Sequence, residues 1–294
     1  MARRWSLLSV PIDSVGCPGG TELGPEALLA AGLADAVDLG ERDATLTVLR
    51  DPGRDPDSGV VSYPAVLELT RELRGKAGGL SRRDDPLLVV GGCCTLVPGV
   101  LGGLRDNGTD PGVAYVDGHL DLYDAVSSPT GEAADMPLAV ALGRGPEEWQ
   151  EAAGGGTLAG DRLALLGYRD LEEARDLGSL LPADLEGGTF IDTPGLRDAG
   201  PGRSGQAVAA ELADAAPDGY WVHLDLDVLD ESVFPATDAF VPGGLDWDEL
   251  GELLTPLLAA DSCIGLNVVC FNPEKDADGS SARRTVELLG ATLG

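Results

Sequence analysis

Two short acidic segments have the residue types and the spacing for chemistry. Asp117-Gly118-His119-Leu120-Asp121 follows the apolar run Val113–Val116, and His223-Leu224-Asp225-Leu226-Asp227 continues from Tyr220–Val222. Each segment is interpreted as a buried strand that becomes polar at its end. Because side chains alternate between the two faces of a strand, the odd-numbered residues of each segment should share one face.

Four carboxylates and two imidazoles would then lie together at the ends of two strands. Such a group would be self-repelling and badly desolvated without a positive charge in its midst. Oxygen ligands mixed with imidazole suit divalent metal ions. The residues therefore predict a metal site, and more than one ion. The expected ligands are Asp117, His119, Asp121, Asp225 and Asp227.

The elements that must position these residues are recognisable from apolar runs. Most of the runs are continuous rather than alternating, which is typical of strands covered on both faces. Helical patterns lie between them, for example at Val66, Leu69 and Leu73, and a helix-starting box is formed by Asp246 and Glu249. The predicted strands are Leu7–Val10, Thr45–Leu49, Leu87–Val90, Val113–Val116, Leu163–Leu166, Thr189–Ile191, Tyr220–Leu224 and Ile264–Val269.

This alternation predicts an α/β fold in one domain spanning residues 1–294, with about eight mostly parallel strands and helices on both faces. Pro25 is expected to open a helix over Glu26 to Ala36. In parallel sheets, ligands bind beyond the carboxyl ends of the strands. Gly91-Gly92-Cys93-Cys94 follows a third strand and should reach the same rim.

Composition limits the partners and the compartment. The formal charge of −30, from 50 acidic and 20 basic residues, disfavours nucleic acid and anionic membranes and favours cationic substrates and metal ions. Five scattered cysteines do not form a disulfide framework, and neither a signal peptide nor a membrane-spanning run is recognised. A cytoplasmic protein is expected.

The chain resembles the ureohydrolase superfamily, which includes arginase, agmatinase and related manganese amidinohydrolases. The likeness rests on five segments in the right order: Val10 to Pro25, Asp117 to Asp121, Ser128 to Leu138, Asp225 to Leu245, and Phe271-Asn272-Pro273. It implies an arginase-like three-layer fold and a homo-oligomer, trimeric or hexameric.

The resemblance also implies two Mn²⁺ ions per chain, bridged by a hydroxide that attacks the central carbon of a guanidinium or amidine. Asp117 and Asp225 would bridge the ions. His119 and Asp227 would complete one site, and Asp121 would serve the other and pass a proton to the leaving amine.

The chain departs from the family pattern at three positions. Cys94 stands where a metal-binding histidine is expected; it either ligates, favouring zinc, iron or cobalt, or is a small buried residue beside a degraded site. The family's proton-shuttling histidine falls at Ala134, and its guanidinium-binding glutamate falls at Cys270. Relatives that act on N-hydroxyarginine also carry cysteine at the first of these positions.

Several further residues are expected to meet the substrate or move protons. His223 shares the ligand face of its strand, so it is a second catalytic candidate beside Asp121, as a proton relay or an orienting group; the alternative is a packing histidine below the metals. The substrate-binding candidates are Tyr123, Thr130, Glu132, Asp135, Glu172 and Cys270; Glu132 and Asp135 could instead be ordinary loop surface.

The sequence thus favours a metal-dependent hydrolase of guanidino or amidino C–N bonds, acting on a modified guanidino acid such as N-hydroxyarginine rather than on plain arginine. The alternative is a non-catalytic relative with a degraded metal site and a structural or regulatory role. The changes at Cys94, Ala134 and Cys270 motivate that alternative.

Overall fold

The computed structural model describes residues 3–81 and 85–294 of the chain. Eight strands form one sheet in the order β2-β1-β3-β8-β7-β4-β5-β6, and every neighbouring pair is parallel. The strands are β1 Trp5–Val10, β2 Leu39–Ala44, β3 Leu87–Gly91, β4 Gly112–Val116, β5 Leu163–Leu166, β6 Thr189–Ile191, β7 Tyr220–Asp225 and β8 Cys263–Val269. The predicted α/β architecture is confirmed, and the sheet is wholly rather than mostly parallel.

Helices cover both faces of this sheet. They are α1 Gly24–Ala30, α2 Leu33–Ala36, α3 Tyr63–Leu80, α4 Val97–Asp106, α5 Pro137–Ala141, α6 Glu147–Ala153, α7 Leu171–Leu177, α8 Thr193–Ala199, α9 Pro201–Ala215, α10 Trp247–Ala259 and α11 Ser280–Leu293. One buried cluster packs α3 and α4 against one face, and a second packs α9, α10 and α11 against the other. Central strands such as β3 and β4 are buried along their whole length, which explains their continuous apolar sequence.

The second strand was predicted in the wrong place. It is Leu39–Ala44, not Thr45–Leu49, and it pairs with β1 at the edge of the sheet. Its side chains Glu41, Arg42 and Asp43 are exposed. Asp43 Oδ2 forms an ion pair with Lys76 Nζ at 2.7 Å. Because the faces of this edge strand are largely exposed, it can carry charged residues, so the apolar criterion selected the following segment instead.

The first helical segment was also predicted incorrectly. A single helix over Glu26 to Ala36 was expected, but Gly32 adopts φ +101°, and the chain forms α1 and α2 on either side of it. Glycine takes this left-handed conformation at no steric cost, so it ends the first helix. The box at the start of α10 is confirmed: Asp246 accepts from the Glu249 backbone, and Glu249 accepts from that of Asp246.

The strand order brings the carboxyl ends of β3, β8, β7 and β4 side by side. Each of the segments with candidate metal ligands follows or ends one of these four strands. Among the described residues, none of the helices is both long enough and apolar enough to cross a bilayer.

Candidate metal centre

Four neighbouring strand ends converge on one cluster of acids, thiols and imidazoles. Cys94 lies in the 3-10 turn after β3, and Asp117 directly follows β4. Asp225 is the last residue of β7, and Cys270 follows β8. The backbone amide of Cys270 donates to the carbonyl of Gly92 at 3.0 Å, which joins the ends of β8 and β3.

One potential ligand group is formed by Asp117, His119 and Asp227, whose donor atoms lie within 4.8 Å of one another. His119 Nδ1 is 3.0 Å from Asp227 Oδ2 and 3.6 Å from Asp117 Oδ1. The two carboxylates are buried, whereas a quarter of the His119 side chain is exposed. Two carboxylates and an imidazole at this spacing fit a hard or borderline divalent ion.

The other donor atoms form two overlapping groups that share Cys94. One contains Cys94, Asp117, Asp121 and His223, and the other contains Cys94, Asp225 and Cys270. Cys94 Sγ lies 2.8 Å from Asp225 Oδ2 and 3.8 Å from Asp117 Oδ2. All the expected ligands therefore meet at one place.

Turns, rather than continuing strands, aim these side chains. Strand β4 ends at Val116, so the alternation assumed for residues 117 to 121 does not apply. Asp117 Oδ1 accepts from the His119 amide at 2.7 Å, and Asp121 is turned by a left-handed backbone with φ +52°. The second segment forms the same kind of turn, since Asp225 Oδ1 accepts a hydrogen bond from the Asp227 amide at 2.8 Å.

Glycine at position 118 lets the two segments come into contact. Its amide donates to Asp227 Oδ1 at 3.0 Å. A Cβ at this position would lie 2.8 Å from both Asp227 Oδ1 and an Arg169 guanidinium nitrogen. Arg169 is the cation beside the cluster, but its guanidinium donates to carbonyl oxygens, including those of Asp227 and Val228. It ties the loops together instead of pairing with the carboxylates.

The cluster is electrostatically unbalanced. Burial and the neighbouring Asp117 raise the pKa of Asp121 well above its usual value, and burial with Asp227 does the same for Asp225. Burial also acts on Asp117, but the nearby imidazoles of His119 and His223 hold its pKa below the usual range. The pKa of His119 is raised because Asp227 outweighs the effect of burial. The donor set and its charge therefore fit bound divalent cations.

A polar row crosses three strands two residues before the cluster positions Asp117 and Asp225. Strand register places Tyr115 beside His223 and His223 beside Asn267. The rings of Tyr115 and His223 stack at 3.9 Å, and the Tyr115 hydroxyl donates to Asp121 Oδ2 at 2.5 Å. All three row residues are fully buried. This row supports the cluster from beneath.

Trp221 fixes the proton position on His223. The indole N–H of Trp221, which can only donate, is 2.7 Å from Asn267 Oδ1, so the Asn267 amide nitrogen must face His223 Nδ1, at 2.6 Å. Nδ1 therefore accepts, and a neutral His223 carries its proton on Nε2. That nitrogen lies 3.5 Å from Asp117 Oδ2 and has no hydrogen-bond partner within the described part of the chain. It thus presents an N–H, rather than a lone pair, to the Asp117 carboxylate.

A cavity of about 380 Å³ opens above the cluster. Four residues proposed from sequence to meet the substrate line it: Tyr123, Glu132, Asp135 and Cys270. Ala134 also lines the wall at the position of the missing histidine. Thr130 and Glu172 are exposed and are not among the lining residues.

The cavity wall is acidic and braced from behind. Glu132 accepts from the Ser14 hydroxyl at 2.6 Å, and burial raises its pKa. Asp135 accepts from the hydroxyls of Ser128 and Thr130, so Thr130 supports the wall from outside the cavity. Such a wall suits a positively charged ligand.

Three residues near the cluster were missed by the sequence analysis. Tyr115 could have been found, because it precedes Asp117 by two residues on the same face of β4. Asn267 gives no signal of its own within an apolar strand. Asp170, which follows β5 in a loop, is buried, and its Oδ1 atom has no hydrogen-bond partner in residues 3–81 and 85–294. Burial raises its pKa to about 6, although the nearby His119 opposes that shift.

Comparisons with known proteins match almost the whole chain to one family. A sequence model described as "Arginase family" matches residues 3–294. The arginase of Bacillus caldovelox is 29% identical over 303 residues, which cover 98% of this chain and 97% of that protein. The arginase of Staphylococcus aureus (strain MRSA252) is 26% identical over 305 residues, covering 96% and 97%.

The fold is similar to that of solved arginases. The structure of the B. caldovelox enzyme matches with a TM-score of 0.84 at 25% identity and covers 100% of this chain and 99% of that one. An arginase from Entamoeba histolytica, solved in complex with L-ornithine, matches with a TM-score of 0.86 at 18% identity and covers both chains fully.

Proposed function

The chain belongs to the arginase family, and from that premise we propose that it is a metal-dependent hydrolase of a guanidino or amidino C–N bond. The family consists of hydrolases of this type that depend on a binuclear metal centre. The observation that carries the proposal is the convergence of Cys94, His119, Asp225 and Asp227 at the floor of one acidic cavity, with Asp117 buried among them. We propose one catalytic unit spanning residues 1–294.

The expected cofactor is a pair of divalent ions, typically Mn²⁺ in this family. Asp117, His119 and Asp227 would hold one ion, and Asp121, Asp225 and Cys94 would hold the other, with Asp117 and Asp225 shared. When bound, the ions would supply Lewis acidity for activating water and the substrate. The cysteine leaves zinc, iron or cobalt open as occupants of the second site.

Asp121 is proposed as the proton donor to the leaving amine. The Tyr115 hydroxyl engages Oδ2 of Asp121 and leaves Oδ1 to exchange a proton. The left-handed backbone and the stacked Tyr115 ring hold this carboxyl in one orientation.

His223 is proposed to act on Asp117 through its Nε2–H. Because Asn267 occupies Nδ1, any proton relay through His223 would have to gain and lose its proton at Nε2 alone. The same N–H can instead hold the Asp117 carboxylate in place. In both roles His223 acts through Nε2, the ring nitrogen that faces the cluster.

The proposed substrate is a small cationic guanidino acid, modified in the manner of N-hydroxyarginine. Glu132 and Asp135 would attract its positive charge, and Tyr123, which also lines the cavity, would contact it. Thr130 would act indirectly through Asp135, and Glu172 would meet only a ligand that extends beyond the cavity. Cysteine at position 94 resembles the variant of the family that acts on N-hydroxyarginine, which favours this substrate over arginine.

The test is a substrate panel on protein loaded with Mn²⁺: arginine, N-hydroxyarginine and agmatine, assayed for urea or hydroxyurea and for the amine product. We expect release from N-hydroxyarginine with the highest kcat/KM. Asp117→Asn should abolish it, whereas the exposed Asp57→Asn should behave as the unmodified protein.

A second candidate function is a non-catalytic relative with a structural or regulatory role. The replacements at Cys94, Ala134 and Cys270 favour it. A chain that binds two ions but releases no urea-type product from the panel would support this candidate and contradict the hydrolase.

The remaining proposals concern the setting of the enzyme. We propose a cytoplasmic homo-oligomer, trimeric or hexameric, that has no nucleic-acid or membrane partner, since a net charge of −30 opposes both. Sedimentation at several ionic strengths measures its size, and a monomer throughout would contradict the proposed assembly.

A further inference from the structure

We propose that Cys270 is a second thiolate ligand, so that Cys94, Cys270 and Asp225 form a sulfur-rich site for one borderline divalent ion such as Zn²⁺, Fe²⁺ or Co²⁺. This proposal rests on the metal centre of the proposed function, and it makes the two ion positions chemically different. The other position, at Asp117, His119 and Asp227, keeps hard oxygen and nitrogen donors.

Geometry is the first support. The sulfur atoms of both cysteines and a carboxylate oxygen of Asp225 lie within 4.8 Å of one another, with Cys94 Sγ 2.8 Å from Asp225 Oδ2. Zinc binds sulfur at about 2.3 Å and carboxylate oxygen at about 2.0–2.2 Å, so ligands on one ion lie roughly 3–4 Å apart. Small side-chain rotations would bring the three donors to that spacing.

The backbone at Cys270 is the second, independent support. Among the described residues, only three other than glycine have positive φ: Ser62, Asp121 and Cys270, at +54°, +52° and +63°. A cysteine in this conformation costs about 1–3 kcal/mol, a strain that proteins retain mainly at functional sites. The bond from its amide to the Gly92 carbonyl holds the turn and keeps Cys270 facing Cys94.

The chemistry of the pair is the third support. A single neutral thiol on the acidic wall would not repel a cationic substrate or a neighbouring carboxylate. It would also not bind a metal ion by itself. Two thiols beside a carboxylate supply a donor set that favours borderline and soft metals over manganese. On binding, each thiol releases its proton to solvent, and the two thiolates and one carboxylate place three negative charges around a dication.

The experiment counts thiolates on Co²⁺. Reduced protein, with five free thiols by titration, is loaded with Co²⁺ to saturation, and the near-ultraviolet thiolate-to-cobalt absorbance is measured per chain. Cys270→Ser and Cys94→Ser should each lose about half of this band, and the double variant should lose all of it. Cys17→Ser and Cys263→Ser, which lie outside the cluster, should keep the full band.

Cys270→Asp guards against a trivial loss of binding. Aspartate tolerates a left-handed backbone and retains an anionic ligand, so this variant should keep its cobalt content with half the band. X-ray absorption on the zinc-loaded protein gives a second count: two sulfurs per chain at about 2.3 Å, falling to one in Cys270→Ser.

A full band in Cys270→Ser, a single sulfur in the unmodified protein, or no metal-bound sulfur overturns the proposal. The outcome is separable from that of the proposed function. One thiolate with active turnover refutes only the second ligand, whereas two thiolates without hydrolysis of any guanidino compound refute only the hydrolase.

Discussion

Replacing Asn267 by leucine tests whether the buried row fixes His223. In the native protein the Asn267 amide satisfies Trp221 Nε1 at 2.7 Å and His223 Nδ1 at 2.6 Å, and all three side chains are fully buried. Leucine has a similar size but no polar atoms, so Asn267→Leu would leave both ring nitrogens without a partner.

The magnitude follows from those two losses. Each buried polar group deprived of its partner costs about 1–3 kcal/mol, so Asn267→Leu should lower the free energy of unfolding by about 2–6 kcal/mol. Urea denaturation followed by circular dichroism measures this change. Asn267→Asp is the companion variant: it keeps an acceptor for Trp221 Nε1 but replaces the amide donor to His223 Nδ1 with an acceptor.

The same variants should change the tautomer of His223. The chain has only two histidines, so nitrogen-15 spectra of the rings contain two sets of signals, and His223→Asn identifies which set is which. We expect the Nε2–H form in the metal-free native protein at pH 7.5 and the Nδ1–H form in Asn267→Asp, where a carboxylate faces Nδ1.

Two results would refute this reasoning. One is a native His223 that carries its proton on Nδ1 or on both nitrogens. The other is an Asn267→Leu variant destabilised by less than about 1 kcal/mol, which would mean that the row does not bind the imidazole.

Three further predictions concern the cluster. His223→Ala should lower turnover far more than metal content by elemental analysis; an equal fall in both would leave no separate role for the ring. With Mn²⁺ at 100 times its Kd, each bound ion should raise the free energy of unfolding, measured by thermal unfolding, by about 2.7 kcal/mol. Asp227→Asn should bind about one ion fewer, and an unchanged ion count in that variant would contradict the ligand assignment. The pKa of Asp170 is raised to about 6 in the folded protein, so this group destabilises the fold as pH rises from about 4 to 6. Metal-free Asp170→Asn should therefore exceed the unmodified protein in stability above pH 6, by up to about 3 kcal/mol, and match it below pH 4; equal stability at pH 7.5 would show that Asp170 is not held in this state.

The sequence predicted the fold well wherever burial acts on both faces of an element. Seven of the eight predicted strands overlap observed ones, because central parallel strands must be continuously apolar. Thr45–Leu49 failed for the converse reason, since the edge strand it replaced carries charged residues. The helix predicted across Gly32 failed because φ at a single glycine depends on packing that composition does not reveal.

At the site, the residue types could be used to predict a metal centre, but the orientations of their side chains could not be predicted from the sequence. Clustered aspartates and histidines predict a metal centre, and these residues do meet in the structure. The turns at Asp117 and Asp121, however, depend on a backbone hydrogen bond and a left-handed backbone, which the alternation of side chains along a strand does not describe. Asn267 and Tyr115 act through strand register. Register is a long-range property, so nothing near Asn267 in the sequence could have linked it to His223, whereas the position of Tyr115 two residues before Asp117 was a usable signal.

The two borders of the sheet limit how copies of this chain can associate. At one border β2 presents Glu41, Arg42 and Asp43, and at the other β6 has only three residues. Joining sheets across either border would force charged side chains into the new contact or gain very few backbone bonds. Crowded solutions of this protein should therefore resist fibrous association, and any assembly with a defined number of subunits must be built from helices and loops.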